Sequence, residues 1–103
     1  MTLDIDTLRP KAKFMANLLR SISNENRLLT ICYLLEQERT VGDITDFLDI
    51  SQPAASQMLL KMKDDGIVIS RQEAQKVLYS VQDKDIIEVF ETLSKLCESM
   101  CNN

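Results

Sequence analysis

Two short amphipathic stretches, Val41 to Leu48 and Gln52 to about Asp64, are separated only by Asp49-Ile50-Ser51. Thr40 offers an N-cap oxygen to the first, whose Ile44, Phe47 and Leu48 face one side. Ser51 caps the second, Pro53 fits its first turn, and Met58, Leu59 and Met62 supply its buried face. Gly66 is placed as the left-handed residue that ends it. Helices joined this tightly make a helix-turn-helix, in which the second helix enters the major groove of DNA nose first.

The remaining segments surround that pair. Leu8 to Ile22 carries Phe14, Met15, Leu18, Leu19 and Ile22 at helical spacing, with Pro10 tolerated in the first turn. Ser23 or Asn24 caps a second helix that runs to about Gln37, with Leu28, Ile31, Leu34 and Leu35 in its stripe and Cys32 inside it. After the recognition helix, Ile67-Val68-Ile69 and Val77 to Val81 read as two strands around the polar turn Ser70 to Lys76. From Asp83 onward Ile86, Phe90, Leu93, Cys97 and Met100 form a heptad-like seam.

The expected fold is therefore mainly α with a β-hairpin, a winged helix-turn-helix in the order α-α-α-α-β-β-α. With 103 residues, one domain carries everything. The wing spans about 67–81, and the helices at about 8–22 and 83–100 are expected to dimerise. Their seams, represented by Phe14, Leu18, Phe90 and Leu93, need a cover, either the chain's own core or a second copy, and the second copy is expected.

Composition excludes several classes. Apolar residues at 45% and charged residues at 27% are globular proportions. The longest apolar runs fall far short of the roughly 20 residues that span a bilayer, and no basic-then-apolar leader opens the chain, so a cytoplasmic protein is expected. Three cysteines in a reducing compartment argue against a disulfide framework. The absence of His removes the usual metal ligand and general base, and no nucleophile–base pair is recognisable, so neither an enzyme nor a cofactor is expected.

The net charge is −4, but phosphate binding depends on where charge sits. Only the middle segment, residues 51–80, is positively balanced, with four basic against three acidic side chains. There the recognition helix presents Ser51, Gln52, Ala54, Ala55, Ser56 and Gln57, with Lys61 and Lys63 further on. Short side chains let the backbone approach base edges, Gln pairs with adenine, and Ala touches a thymine methyl. Arg71, Gln72, Gln75 and Lys76 at the hairpin tip suit phosphate or minor-groove contact, weakened by Glu73. Thr40 completes the expected DNA-facing set.

Ser51 to Leu59, Asp65-Gly66-Ile67-Val68 and Val77 to Val81 resemble the recognition helix and wing of ArsR-type repressors, and Asn24 to Leu29 is similar to that family's opening of helix 2. The resemblance covers roughly residues 12–100 and implies a symmetric dimer bound to operator DNA. Met58 departs from the pattern, since many relatives have His there, so a contact made by that His does not transfer.

The family's metal sites, a Cys-x-Cys on helix 3 or His and carboxylates on the last helix, find no counterpart here. The BigR, SqrR and HlyU-type branch instead places one Cys in helix 2 and one near the end of the last helix as a persulfide or redox switch, and Cys32 matches the first position. Counted without gaps from Tyr79-Ser80, the second position falls on Glu98, and one residue turns a side chain by about 100°. Cys97 belongs to the apolar seam and is the preferred partner, with Cys101 as its substitute. The resemblance thus implies a thiol-controlled regulator, with a polysulfide or persulfide inducer. The alternatives are an ArsR-type regulator without thiol sensing and, favoured by the acidic total, a winged-helix protein-interaction module.

Overall fold

Each helix of the DNA-reading half begins at a side chain that satisfies orphan backbone N–H groups, which is why the boundaries are sharp. In the computed structural model, which describes residues 4–101, α1 (Ile5–Leu8), a 3-10 turn (Arg9–Lys11) and α2 (Ala12–Ser21) replace the single helix expected over 8–22. Pro10 lies at the start of the 3-10 turn, where its missing N–H and its ring interrupt regular helix. Asn24 caps α3 (Glu25–Glu36), its Oδ1 accepting from Asn26 N at 2.8 Å and Arg27 N at 3.3 Å.

Strand β1 (Arg39–Thr40) leads into α4 (Val41–Leu48), opened by a reciprocal capping box. Thr40 Oγ1 accepts from Asp43 N at 3.1 Å while Asp43 Oδ2 accepts from Thr40 N at 3.0 Å. Asp49, left-handed at φ 56°, closes α4, and Ser51 Oγ accepts from Ala54 N at 3.2 Å to open α5 (Gln52–Asp64). Gly66 follows at φ 77°, as expected of a helix end.

The wing extends further into the polar segment than its β-branched residues suggest. Strands β2 (Ile69–Glu73) and β3 (Lys76–Ser80) pair antiparallel from Ile69↔Ser80 to Glu73↔Lys76, leaving only Ala74-Gln75 as the loop. Ile67 and Val68 precede β2 as buried core residues. β1, absent from the sequence reading, pairs with β3 through Arg39↔Tyr79 and Thr40↔Leu78, giving the sheet order β1-β3-β2.

Asp83 Oδ1 accepts from Asp85 N and Ile86 N at the start of α6 (Lys84–Cys101). The core gathers Ile31, Ile44, Leu59, Met62 and Ile86, all fully buried. Leu18 and Phe90, expected at the dimer seam, belong to this core, at 1% and 3% exposure. The seam through Ile86 and Phe90 turns inward because α6 packs its first half on the body of its own chain. Phe14 packs half-buried against the core and Leu93 is half-buried. On the terminal helices the large apolar residues left uncovered are Ile5, Leu8 and Leu19 on α1 and α2, and Leu96 and Met100 on the outer part of α6; Leu29, Phe47, Leu60, Ile69 and Val77 are exposed elsewhere.

Candidate DNA-reading surface and thiol pair

α5 turns one stripe inward and leaves the rest of its surface in solvent. Ala55, Leu59 and Met62, at steps of four and three, are all fully buried. Ala55 was expected to face DNA and does not. It shares the core stripe of Leu59, a periodicity already present in the sequence. Gln52, Ala54, Ser56 and Gln57 are exposed around the nose, beside Ser51. A cleft of about 430 Å³ flanks this nose, lined in part by Asn24, Arg27, Ala54 and Gln57. Met58 lines it too and receives a contact from Thr30 Oγ1 at 3.8 Å, packing α3 on α5.

The cations further along are partly committed. Lys61 Nζ lies 3.5 Å from Asp65 Oδ1, and Lys63 Nζ donates to Ser70 Oγ at 2.8 Å, which pins the base of the wing to α5. Arg71 donates through Nε and Nη2 to both oxygens of Glu38, at 2.7 and 2.8 Å, and through Nη2 to Glu73 at 3.0 Å. The hydrogen bonds from Arg71 hold the Glu38 carboxyl below the usual carboxylate range, and Glu38 with Glu73 raises the guanidinium further above its own. In the free protein Arg71 is thus paired with two carboxylates while half of its side chain stays in solvent, so a phosphate would compete with them. Gln72, Gln75 and Lys76 are exposed. Thr40 is half-buried, with its oxygen engaged in the cap.

Sequence reasoning missed two braces. Glu38 reaches its partner across the sheet, a pairing with no local signature. Arg39 lies 3.7 Å over the Tyr33 ring and is paired with Glu36 at 2.9 Å, while Tyr33 stacks on Phe47 at 4.0 Å, tying α3 to α4.

Cys32 on α3 and Cys97 on α6 are free and exposed. Burial raises the Cys32 thiol above its ordinary pKa, and charge on Cys97 and on Glu36 pushes it the same way. The side chain of Cys101 lies outside the described residues. Among the described residues, no cluster of three or more Cys, Asp or Glu converges as a metal site.

The family model described as bacterial regulatory protein, arsR family, matches residues 24–70. The chain is 39% identical over 79 residues to the transcriptional activator HlyU of Vibrio cholerae, covering 77% of this chain and 73% of that protein. The transcriptional repressor BigR from Xylella fastidiosa superposes with a TM-score of 0.83 at 28% identity, over 91% of this chain and 96% of that one. A structure of reduced HlyU from Vibrio cholerae superposes at 0.79 with 35% identity, over 90% and 97% of the two chains.

Proposed function

We propose that this chain, which belongs to the arsR family of bacterial regulatory proteins, binds operator DNA as a homodimer and releases it when Cys32 and Cys97 are joined through sulfur. The family relatives are transcription regulators rather than enzymes. The observation that carries DNA reading is the exposure of Gln52, Ala54, Ser56 and Gln57 around the capped nose of α5. Lys76 and Gln75 at the wing tip add phosphate contacts. No helix among the described residues is long and apolar enough to cross a membrane. The proposed setting is the cytoplasm, where reduced thiols persist.

Ile5, Leu8, Leu19, Leu96 and Met100 support the dimer, since large apolar side chains left in solvent on the terminal helices need a cover. Phe14 and Leu93 lie at the margin of this surface, while Leu18 and Phe90 support it from inside. A two-fold dimer presents two α5 helices to successive major grooves about 34 Å apart.

The thiol switch is supported by the resemblance at Cys32, by the exposure of both thiols and by the charge of Cys97 acting on Cys32. Because its surroundings disfavour the Cys32 thiolate, the first attack is assigned to Cys97. The Cys97 thiolate attacks an inner sulfur of an inorganic polysulfide. One S–S bond breaks, and a shorter polysulfide leaves with the electron pair. Cys97 then carries Sγ–S–SH. Cys32, having lost its proton to water, attacks the middle sulfur, and hydrosulfide departs. Two thiols are oxidised by two electrons, the polysulfide is reduced, and one added sulfur bridges α3 to α6. That bridge favours a dimer whose recognition helices no longer match the groove spacing.

The test is operator binding followed by fluorescence anisotropy against an unrelated duplex at several salt concentrations, before and after polysulfide. Specific, salt-dependent binding lost on treatment is expected, with Cys32→Ser and Cys97→Ser remaining bound. Release of both variants like the wild type would overturn the switch while leaving DNA reading intact. Equal affinity for both duplexes would overturn operator recognition itself.

A further inference from the structure

We infer that a small pocket behind the recognition helix binds a free tetrahedral oxyanion of the phosphate or sulfate class. The pocket, about 140 Å³, lies where α2, α3 and α5 meet and is lined by Asn17, Arg20, Ser21, Arg27, Lys61 and Asp65. Three of the six are cations and one is an acid, so the lining carries a net charge of +2.

Three observations point to an anion. Ser21 is 2% exposed, and its buried hydroxyl has no hydrogen-bond partner among the described residues. An unpaired buried hydroxyl is costly, and a bound oxygen acceptor removes that cost. Arg27 is half-buried and makes no side-chain hydrogen bond or ion pair among the described residues, so its planar donor array is available. Arg20 Nη1 donates to Asn17 Oδ1 at 2.9 Å, which orients the Asn17 amide and leaves its N–H groups as further donors. Asp65 is the opposing charge, and its 3.5 Å contact with Lys61 neutralises it locally.

Size sets the ligand class. A cavity of about 140 Å³ falls well below the roughly 300 Å³ at which drug-sized ligands begin, so nucleotides are too large and an isolated oxyanion fits. Arg27 also lines the cleft beside the nose of α5, whereas Lys61 lies nine residues beyond Gln52, about 13 Å along the helix from that nose. The distance of Lys61 favours a free ion that clamps α2 to the reading helix, and duplex DNA is the competing source in the test.

The experiment is a titration of the reduced full chain with inorganic phosphate and with sulfate, at ionic strength matched with chloride, read by amide shifts and thermal melting. Saturable shifts at Ser21, Arg27 and Lys61 and a rise in melting temperature are expected with either oxyanion and not with chloride. Arg27→Gln and, separately, Lys61→Gln should each weaken binding by about tenfold, the loss of a charge-assisted contact. Ser21→Ala should weaken it as well. Lys61 is exposed, so its variant remains informative if Arg27→Gln fails to fold. Equal responses to chloride and phosphate, or full affinity in folded Lys61→Gln and Ser21→Ala, would overturn the site. Shifts at these residues with duplex DNA but not with free phosphate would overturn it in favour of a backbone contact.

Discussion

Glu38 and Arg71, 33 residues apart in the chain, meet through two parallel hydrogen bonds of 2.7 and 2.8 Å that lock the wing to the segment before β1. This pair competes with any phosphate for the same guanidinium. Glu38→Gln combined with Glu73→Gln should free Arg71 from both carboxylates, raising operator affinity by roughly 3–10-fold at low salt and steepening the salt dependence by about one counterion per protomer. Anisotropy titrations at several salt concentrations measure both. An unchanged slope would mean that Arg71 never reaches the DNA.

Acid should loosen the same region. The Glu38 carboxyl is held down by hydrogen bonds from Arg71 and that of Asp43 by the Thr40 backbone N–H. A depressed folded pKa adds stability above the unfolded carboxylate range, about 3.9–4.3, and loses it as pH falls through the folded value. The melting temperature should fall below about pH 4, and Asp43→Asn should flatten part of that fall. Thr40→Ala removes the cap acceptor and should cost about 1 kcal/mol in urea unfolding at neutral pH.

The two faces of α5 should separate cleanly under mutation. Gln52→Ala and Gln57→Ala should each cost about 1–3 kcal/mol of specific binding where a base contact is lost, with no change in melting. Ala55→Leu should destabilise the fold by about 1–3 kcal/mol through overpacking. A melting curve unmoved by Ala55→Leu would contradict the burial of that residue.

Ala74, the first of two residues in the wing loop, has φ 56°, a left-handed conformation that glycine adopts without steric cost. Ala74→Gly should stabilise the chain by about 1 kcal/mol, read by denaturant midpoint. A loss of stability would show that loop entropy outweighs the relieved strain.

The dimer surface can be probed without breaking the core. Leu96→Asp and Met100→Asp place charge on exposed α6 positions and should give folded monomers in sedimentation. Phe90→Asp buries a charge instead and should unfold the chain. Dimers that persist in the α6 double variant would move the interface elsewhere.

The helix-turn-helix was legible because its signals are local. Thr40 and Ser51 announce α4 and α5 through caps, and the observed bounds, Val41–Leu48 and Gln52–Asp64, coincide with the expected ones. The wing's overall span of about 67–81 is legible, but its first strand lies further on than Ile67-Val68-Ile69, because Ser70 to Glu73 are polar and no alternation marks them as strand. β1 has two residues, too few for any period. Leu18 and Phe90 show a different limit. Helical spacing identifies a stripe but not which surface covers it, and here the chain's own body does. Likewise, Ala55 has a methyl that suits a base contact and a core equally well.

The sheet order β1-β3-β2 leaves β2 as a long outer edge with unpaired backbone groups. Such an edge is a template for a strand from another molecule. Here it carries Ser70, Arg71, Gln72 and Glu73, with Ile69 its sole apolar side chain. Alternating opposite charges on that ribbon discourage open-ended stacking of copies. The Arg71–Glu73 contact along β2 thereby acts as a guard against aggregation, and removing both charges together should shorten the soluble lifetime of the concentrated protein.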